Sequence, residues 1–153
     1  LVIAPHVVSD SHLKEIMSKL NRSCIRYTQA TEAEVSKADC LIVDCYGLLS
    51  SIYRYGEISY VGGGFGVGIH NVLEAAVYGI PVIFGPNNKK FREAQHLLEQ
   101  KGGFEINGYE DFKQLMDKFL SDKAYLQQAG KAAGDYVMNN AGALNKIMNA
   151  VRL

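Results

Sequence analysis

Short runs of β-branched and other apolar residues alternate along this chain with helical patterns, and this alternation restricts the fold more than any other feature. The runs fall at residues 1–4, 24–28, 40–44, 58–61, 81–84 and 104–106. After the first, Ser9 or Asp10 is placed to cap a helix reaching Leu20, with Leu13, Ile16, Met17 and Leu20 on one face. Thr31 and Glu34 have the spacing of a capping box. Further helical patterns span 46–55, 71–78 and 89–101, the last closed by Gly102 and Gly103. Strands separated by helices are joined by crossovers rather than hairpins, so the expected sheet is parallel with helices on both faces. The class is α/β. From Tyr109 onward the pattern is wholly helical. Phe112, Leu115, Met116, Phe119 and Leu120 form one apolar stripe there, and Leu144, Ile147, Met148 and Val151 form another. This part reads as a C-terminal helical tail.

The 153 residues, 48% of them hydrophobic, suffice for one domain with a sizeable core. No linker-like stretch or fixed-period repeat interrupts them, so 1–153 reads as a single domain. Sixteen Lys+Arg against sixteen Asp+Glu leave a formal net charge of zero, which argues against a nucleic-acid partner. The long apolar stretch 72–84 is broken by Glu74 and Pro81 and is shorter than the roughly 18 residues of a spanning helix. Cys24, Cys40 and Cys45 are odd in number and lack paired CxxC spacing, so neither a disulfide scaffold nor a zinc ribbon is expected. A reducing compartment fits. Leu1 already stands within a strand pattern, with no Met and no basic leader before it, and the chain is expected to be a fragment of a longer protein.

The stretch from Tyr60 to Pro86 carries the chemistry. Five of the seven residues 62–68 are glycine: Gly62, Gly63, Gly64, Gly66 and Gly68. They follow a strand pattern and precede a helical one, an arrangement that lets backbone N–H groups and a helix start face an anion. A Walker loop would need Lys and Ser/Thr after the last glycine, where Ile69 and His70 stand. A GxGxxG fingerprint fails too, because Val67, Ile69 or Asn71 occupies the third glycine's place, and the loop follows the fourth strand rather than the first. His70, Asn71 and Glu74 cluster at the next helix start, where a carboxylate suits a ribose diol. The plainer alternatives are a tight turn made by the glycines, with Asn71 capping the helix and Glu74 complementing its dipole. His70 and Glu74 have i, i+4 metal-ligand spacing, but no third ligand is identifiable, and no metal is expected. Neither a GxSxG elbow nor a partnered catalytic cysteine is present.

The run GGGFGVGIHNVLEAAVYGIPVIFGPNNKKFREA resembles the donor-binding segment of 3-deoxy-D-manno-oct-2-ulosonic acid (Kdo) transferases, which has glycines, a GGHNPLEPA-like helix start and GKPVLFGP. Upstream, Asp44, Gly47, Leu48, Leu49, Tyr53, Val61, Gly62 and Gly63 fall in register with the family's DTMGELxxLYxxADVAFVGG, and IAPH at 3–6 is similar to its PRHPER region. Departures are specific. Pro5 is followed by His6 and Val7 where the family has arginine, and Val72 replaces the proline after HN. Leu48 and Leu49 stand where the GEL glutamate is expected.

The resemblance implies a Rossmann-like fold, half of a GT-B architecture, of which 1–153 is expected to be a fragment: the N-terminal acceptor domain is absent, along with the first strand and helix of the C-terminal nucleotide-sugar-binding domain. It implies the donor CMP-Kdo, a lipid A precursor as acceptor, inversion at the anomeric carbon, no cofactor and no nucleic acid. It also implies peripheral contact with the cytoplasmic face of the bacterial inner membrane for the whole enzyme. The general base is expected in the absent domain, so this fragment alone is expected to be inactive. The implied donor-binding residues are Pro5, His6, Tyr46, Gly47 and Leu48 on the base and sugar side. Gly62, Gly63, Gly64, Gly66, Gly68, His70 and Asn71 serve the phosphate, Glu74 the ribose, and Asn87, Asn88 and Lys89 the sugar carboxylate. Open beside this are a GT-B enzyme using a UDP-sugar and a non-catalytic, flavodoxin-like binding module.

Overall fold

The computed structural model describes residues 1–151, without the side chains of 143–146, so Leu144 of the second predicted stripe lies outside the described side chains. The chain divides into two compact units, residues 1–52 and the residues from Tyr53 onward.

In the first unit, β1 (Val2–Ile3), β2 (Cys24–Arg26) and β3 (Cys40–Ile42) form a parallel sheet in the order β1-β3-β2. Register pairs Ile3 with Ile42 and Cys24 with Cys40. The expected helix α1 (Asp10–Lys19) begins at Ser9, whose Oγ accepts the His12 N–H at 3.4 Å. Its buried face delivers Leu13 to Cys40 and Ile42, with Ile16, Met17 and Leu20 alongside. The capping box also forms: the Glu34 carboxylate accepts from the Thr31 N–H and hydroxyl at 3.2 and 2.6 Å, starting α2 (Glu32–Val35). The helix expected over 46–55 starts late. Gly47 takes a left-handed φ of 90°, so α3 covers only Leu49–Ile52, and a 3-10 turn (Tyr53–Tyr55) follows.

In the second unit, β4 (Ser59–Val61), β5 (Val82–Phe84) and β6 (Gly103–Glu105) make a parallel sheet in that order, aligning Val61, Phe84 and Glu105. The β5 strand is apolar throughout and wholly buried, as a central strand covered on both faces must be. Val82 and Phe84 join a core with Val72, Ala75, Leu97 and Ala133, while Ile83 faces the other way to Ile106, Phe119 and Ala129. The helices are α4 (Leu73–Ala76), α5 (Arg92–Glu99), α6 (Tyr109–Ser121), α7 (Lys123–Asn140) and α8 (Ala143–Ala150). Two expectations need correcting here. The helix read over 71–78 is only four residues long, since Asn71 turns the chain before it and Gly79, at φ 69°, ends it. Gly102 does close α5, its N–H donating to the Leu97 carbonyl at 2.9 Å, but Gly103 belongs to β6.

Candidate functional site

The glycine loop is demanded by close backbone approach. A Cβ on Gly63, which sits at φ 89°, would lie 2.2 Å from the Gly68 carbonyl oxygen, and one on Gly64 would lie 2.6 Å from the Gly85 nitrogen. The loop folds on itself: the Gly66 and Gly68 N–H groups donate to the Gly63 carbonyl at 2.9 and 3.2 Å, and the His70 N–H donates to the Gly62 carbonyl at 3.1 Å. The expectation that the backbone N–H groups of this loop face an anion therefore holds for only some of them. Alternate amides are consumed, while those of Val67, Ile69 and Asn71 have no acceptor among the described residues. The expected helix end behind the loop is absent as well, because α4 begins only at Leu73 and is a single turn.

The polar cluster beyond the loop is organised before any ligand arrives. Asn71 Oδ1 accepts the Leu73 N–H at 3.0 Å, and its Nδ2 donates to Glu74 Oε1 at 3.1 Å. That bond leaves the second carboxylate oxygen to other donors. Burial, and then the Glu74 charge, push the Tyr53 phenol above its ordinary pKa. His70 is exposed beside Asn71.

The two asparagines after β5 differ in role from the expectation. Asn88 is wholly buried, and its Nδ2 donates to the Gly85 carbonyl at 3.0 Å and to Glu105 Oε2 at 2.7 Å. Its Oδ1 accepts from Gln95. Every polar atom of that side chain is engaged inside the protein, so Asn88 braces the turn and does not reach a sugar. Asn87 faces the glycine loop: its N–H donates to the Gly64 carbonyl at 2.9 Å and its Nδ2 to the Gly66 carbonyl at 2.6 Å. Lys89 is exposed on the same turn.

The first unit holds the other expected residues. Pro5 and His6 follow β1, and Tyr46, Gly47 and Leu48 follow β3. Because β1 and β3 are parallel neighbours, both groups lie at the carboxyl end of that sheet, with Tyr46 exposed. Sequence reasoning passed over the residue best tied down here. Asp44, its side chain fully buried just beyond β3, accepts from Arg26 Nε at 2.8 Å, the Thr28 N–H at 2.9 Å and the Thr28 hydroxyl at 2.6 Å. Burial alone would raise its pKa, but these donors outweigh it and hold the carboxyl at about 2. Arg26 also reaches Asp10 at 3.0 Å. The signal available was the fall of Asp44 in the family register.

No protein-family model matches the chain. Curated proteins do. The chain is 36% identical over 98 residues to the 3-deoxy-D-manno-octulosonic acid transferase of Aquifex aeolicus (strain VF5), covering 63% of this chain and 28% of that protein. Over 150 residues it is 28% identical to the enzyme of the same name from Haemophilus influenzae, covering 96% of this chain and 34% of the relative. By sequence the chain is similar to Kdo transferases over most of its length. It spans about a third or less of the length of these Kdo transferases. The crystal structure of the C-terminal CMP-Kdo binding domain of WaaA from Acinetobacter baumannii has the same fold, with a TM-score of 0.73 and 20% identity over 88% of this chain and 71% of that one. The Rossmann-like α/β class is thus established for this chain. Among its described residues, no three His, Cys, Asp or Glu side chains gather to hold a metal ion, and no helix is long and apolar enough to cross a membrane.

Proposed function

We propose that this chain is part of the nucleotide-sugar-binding half of a GT-B Kdo transferase. It holds CMP-Kdo while a companion half supplies the general base and presents a lipid A precursor, and Kdo leaves CMP with inversion at its anomeric carbon. The reaction belongs to lipopolysaccharide biosynthesis at the cytoplasmic face of the bacterial inner membrane. The observation that carries this reading is the correspondence of the segment from Gly62 to Ala94 with the family's donor-binding stretch, supported by the relatives' names and by the shared fold.

As the glycosidic bond breaks, negative charge grows on the CMP phosphate, and N–H groups already fixed toward that oxygen stabilise it without reorganising. The loop amides with no acceptor among the described residues are assigned this task, with His70 and Asn71 beside them. Glu74, oriented by Asn71, accepts from the ribose hydroxyls. Lys89 is assigned to the sugar carboxylate. Pro5, His6, Tyr46, Gly47 and Leu48 are assigned to the base and the Kdo side.

Titrating the chain with CMP, UMP and ADP while following backbone amide NMR shifts tests the proposal. CMP-selective shifts across 62–74 are expected. Preference for UMP would move the protein to uridine-nucleotide transferases, and no shift with any nucleotide would overturn donor binding.

A further inference from the structure

A glycine-rich loop loses more conformational entropy on ordering than any other segment of equal length, so a loop that must present fixed donors needs an external hold. Here that hold comes from one residue on the next strand-to-helix turn. Asn87 grips the loop twice, through its backbone N–H to the Gly64 carbonyl at 2.9 Å and through its Nδ2 to the Gly66 carbonyl at 2.6 Å.

The consequence follows from peptide geometry. The described residues contain no cis peptide bond, and in a trans peptide the C=O and the N–H point in opposite directions. Pinning the Gly64 oxygen toward Asn87 turns the Phe65 N–H away from it, and pinning the Gly66 oxygen does the same to the Val67 N–H. Phe65 and Val67 are the two non-glycine residues between Gly62 and Gly68, both are exposed, and neither N–H has an acceptor among the described residues. The intervening Gly66 N–H is turned inward to Gly63. Two donors, two residues apart and both turned away from Asn87, make a cradle for a phosphate-type anion.

We infer that Asn87 is a positioning residue that presets the Phe65 and Val67 amides as the phosphate-binding pair, rather than a residue that touches the sugar. This rests on the donor-binding reading above and sharpens it to two named amides and one brace. Asn88 supports the same turn from within, through Gly85 and Glu105, so the brace is itself anchored to β6.

The experiment uses the whole 153-residue chain and two variants, Asn87→Ala and Asn87→Asp. Both remove the Nδ2 donor and keep the backbone N–H; the alanine variant adds no charge that would repel an anion, and the aspartate variant keeps the side-chain shape. Amide hydrogen exchange without ligand reads the grip, and CMP titration reads its consequence. In both variants exchange at Gly66 and Gly68 is expected to rise roughly three- to tenfold, the range for one lost neutral hydrogen bond, while exchange across β5 stays unchanged. CMP affinity is expected to fall by a similar factor, with the Phe65 and Val67 amide shifts reduced most. Unchanged loop exchange with weakened CMP binding would make Asn87 a direct contact and overturn the inference. So would raised exchange with unaltered CMP affinity. A wild-type chain blind to CMP would instead overturn the donor-binding reading and the anion role with it, while loop exchange would still decide whether Asn87 holds the loop.

Discussion

Asp44 is a carboxylate that the protein has removed from water and satisfied with three donors from Arg26 and Thr28. Its pKa of about 2 lies below that of the unfolded chain, so its contribution to stability is present above the unfolded value and is lost as pH falls through the folded one. The window is therefore roughly pH 5 to 2, and the loss is on the order of 2 kcal/mol. Urea unfolding at stepped pH should show this acid limb in the wild type and a flatter one in Asp44→Asn, which should be destabilised at neutral pH by roughly 2–3 kcal/mol because Arg26 loses its buried partner. Glu74 is the complementary case, half-buried and pre-aimed by Asn71 but open to a ligand. Glu74→Ala should weaken CMP binding by roughly 1.5–3 kcal/mol, as loss of a charge-assisted hydrogen bond does, with the thermal midpoint nearly unchanged; calorimetric titration checks it. The Asn71–Glu74 cluster was legible because the two residues lie three apart in sequence. Asp44 was not, because Arg26 and Thr28 come beside it only once β2 and β3 pair in register, and no local pattern encodes that pairing.

At the scale of elements, legibility followed length. The apolar face of α1, that of α6 except for Leu120, which the structure exposes, and the cap at Ser9 were readable from patterns local in sequence. The helix read over 71–78 shrank to four residues because an Asx turn at one end and a left-handed glycine at the other override the apolar spacing between them. Tertiary contact also hides in glycines. Gly130 lies within α7, where propensity alone predicts that alanine would stabilise by up to about 1 kcal/mol. Yet a Cβ there would sit 2.3 Å from the Gly79 carbonyl oxygen, a backbone atom that cannot swing aside. Overpacking of that kind costs roughly 1–3 kcal/mol, which exceeds the helix gain. Gly130→Ala should therefore lower the urea midpoint, while Gln127→Ala, on an exposed position of the same helix, should change stability by no more than about 0.5 kcal/mol. A stabilised Gly130→Ala would mean that α7 and the turn at Gly79 are not in contact.

For the whole molecule, the order of strands and helices was readable from the alternation of patterns, and all six strands fall within or beside their expected runs. The placement of β3 between β1 and β2 was not readable, because neighbour choice depends on crossovers that leave no composition signal. The division of labour proposed for the enzyme belongs to this scale. A transferase that joins a soluble nucleotide sugar to a lipid must hold both partners, whereas the residues proposed above for ligand contact, between Pro5 and Lys89, are all proposed for the donor. A formal net charge of zero supplies no long-range pull toward anionic headgroups, and no described helix is long and apolar enough to cross a membrane. Incubated with CMP-Kdo and a lipid A precursor, the 153-residue chain should bind donor and leave the acceptor unmodified by mass spectrometry, while a Kdo transferase of full length converts the same mixture. Product formed by this chain alone would overturn that division, because the general base would then have to lie within it, and Glu74, the carboxylate beside the glycine loop, would be the first residue to replace.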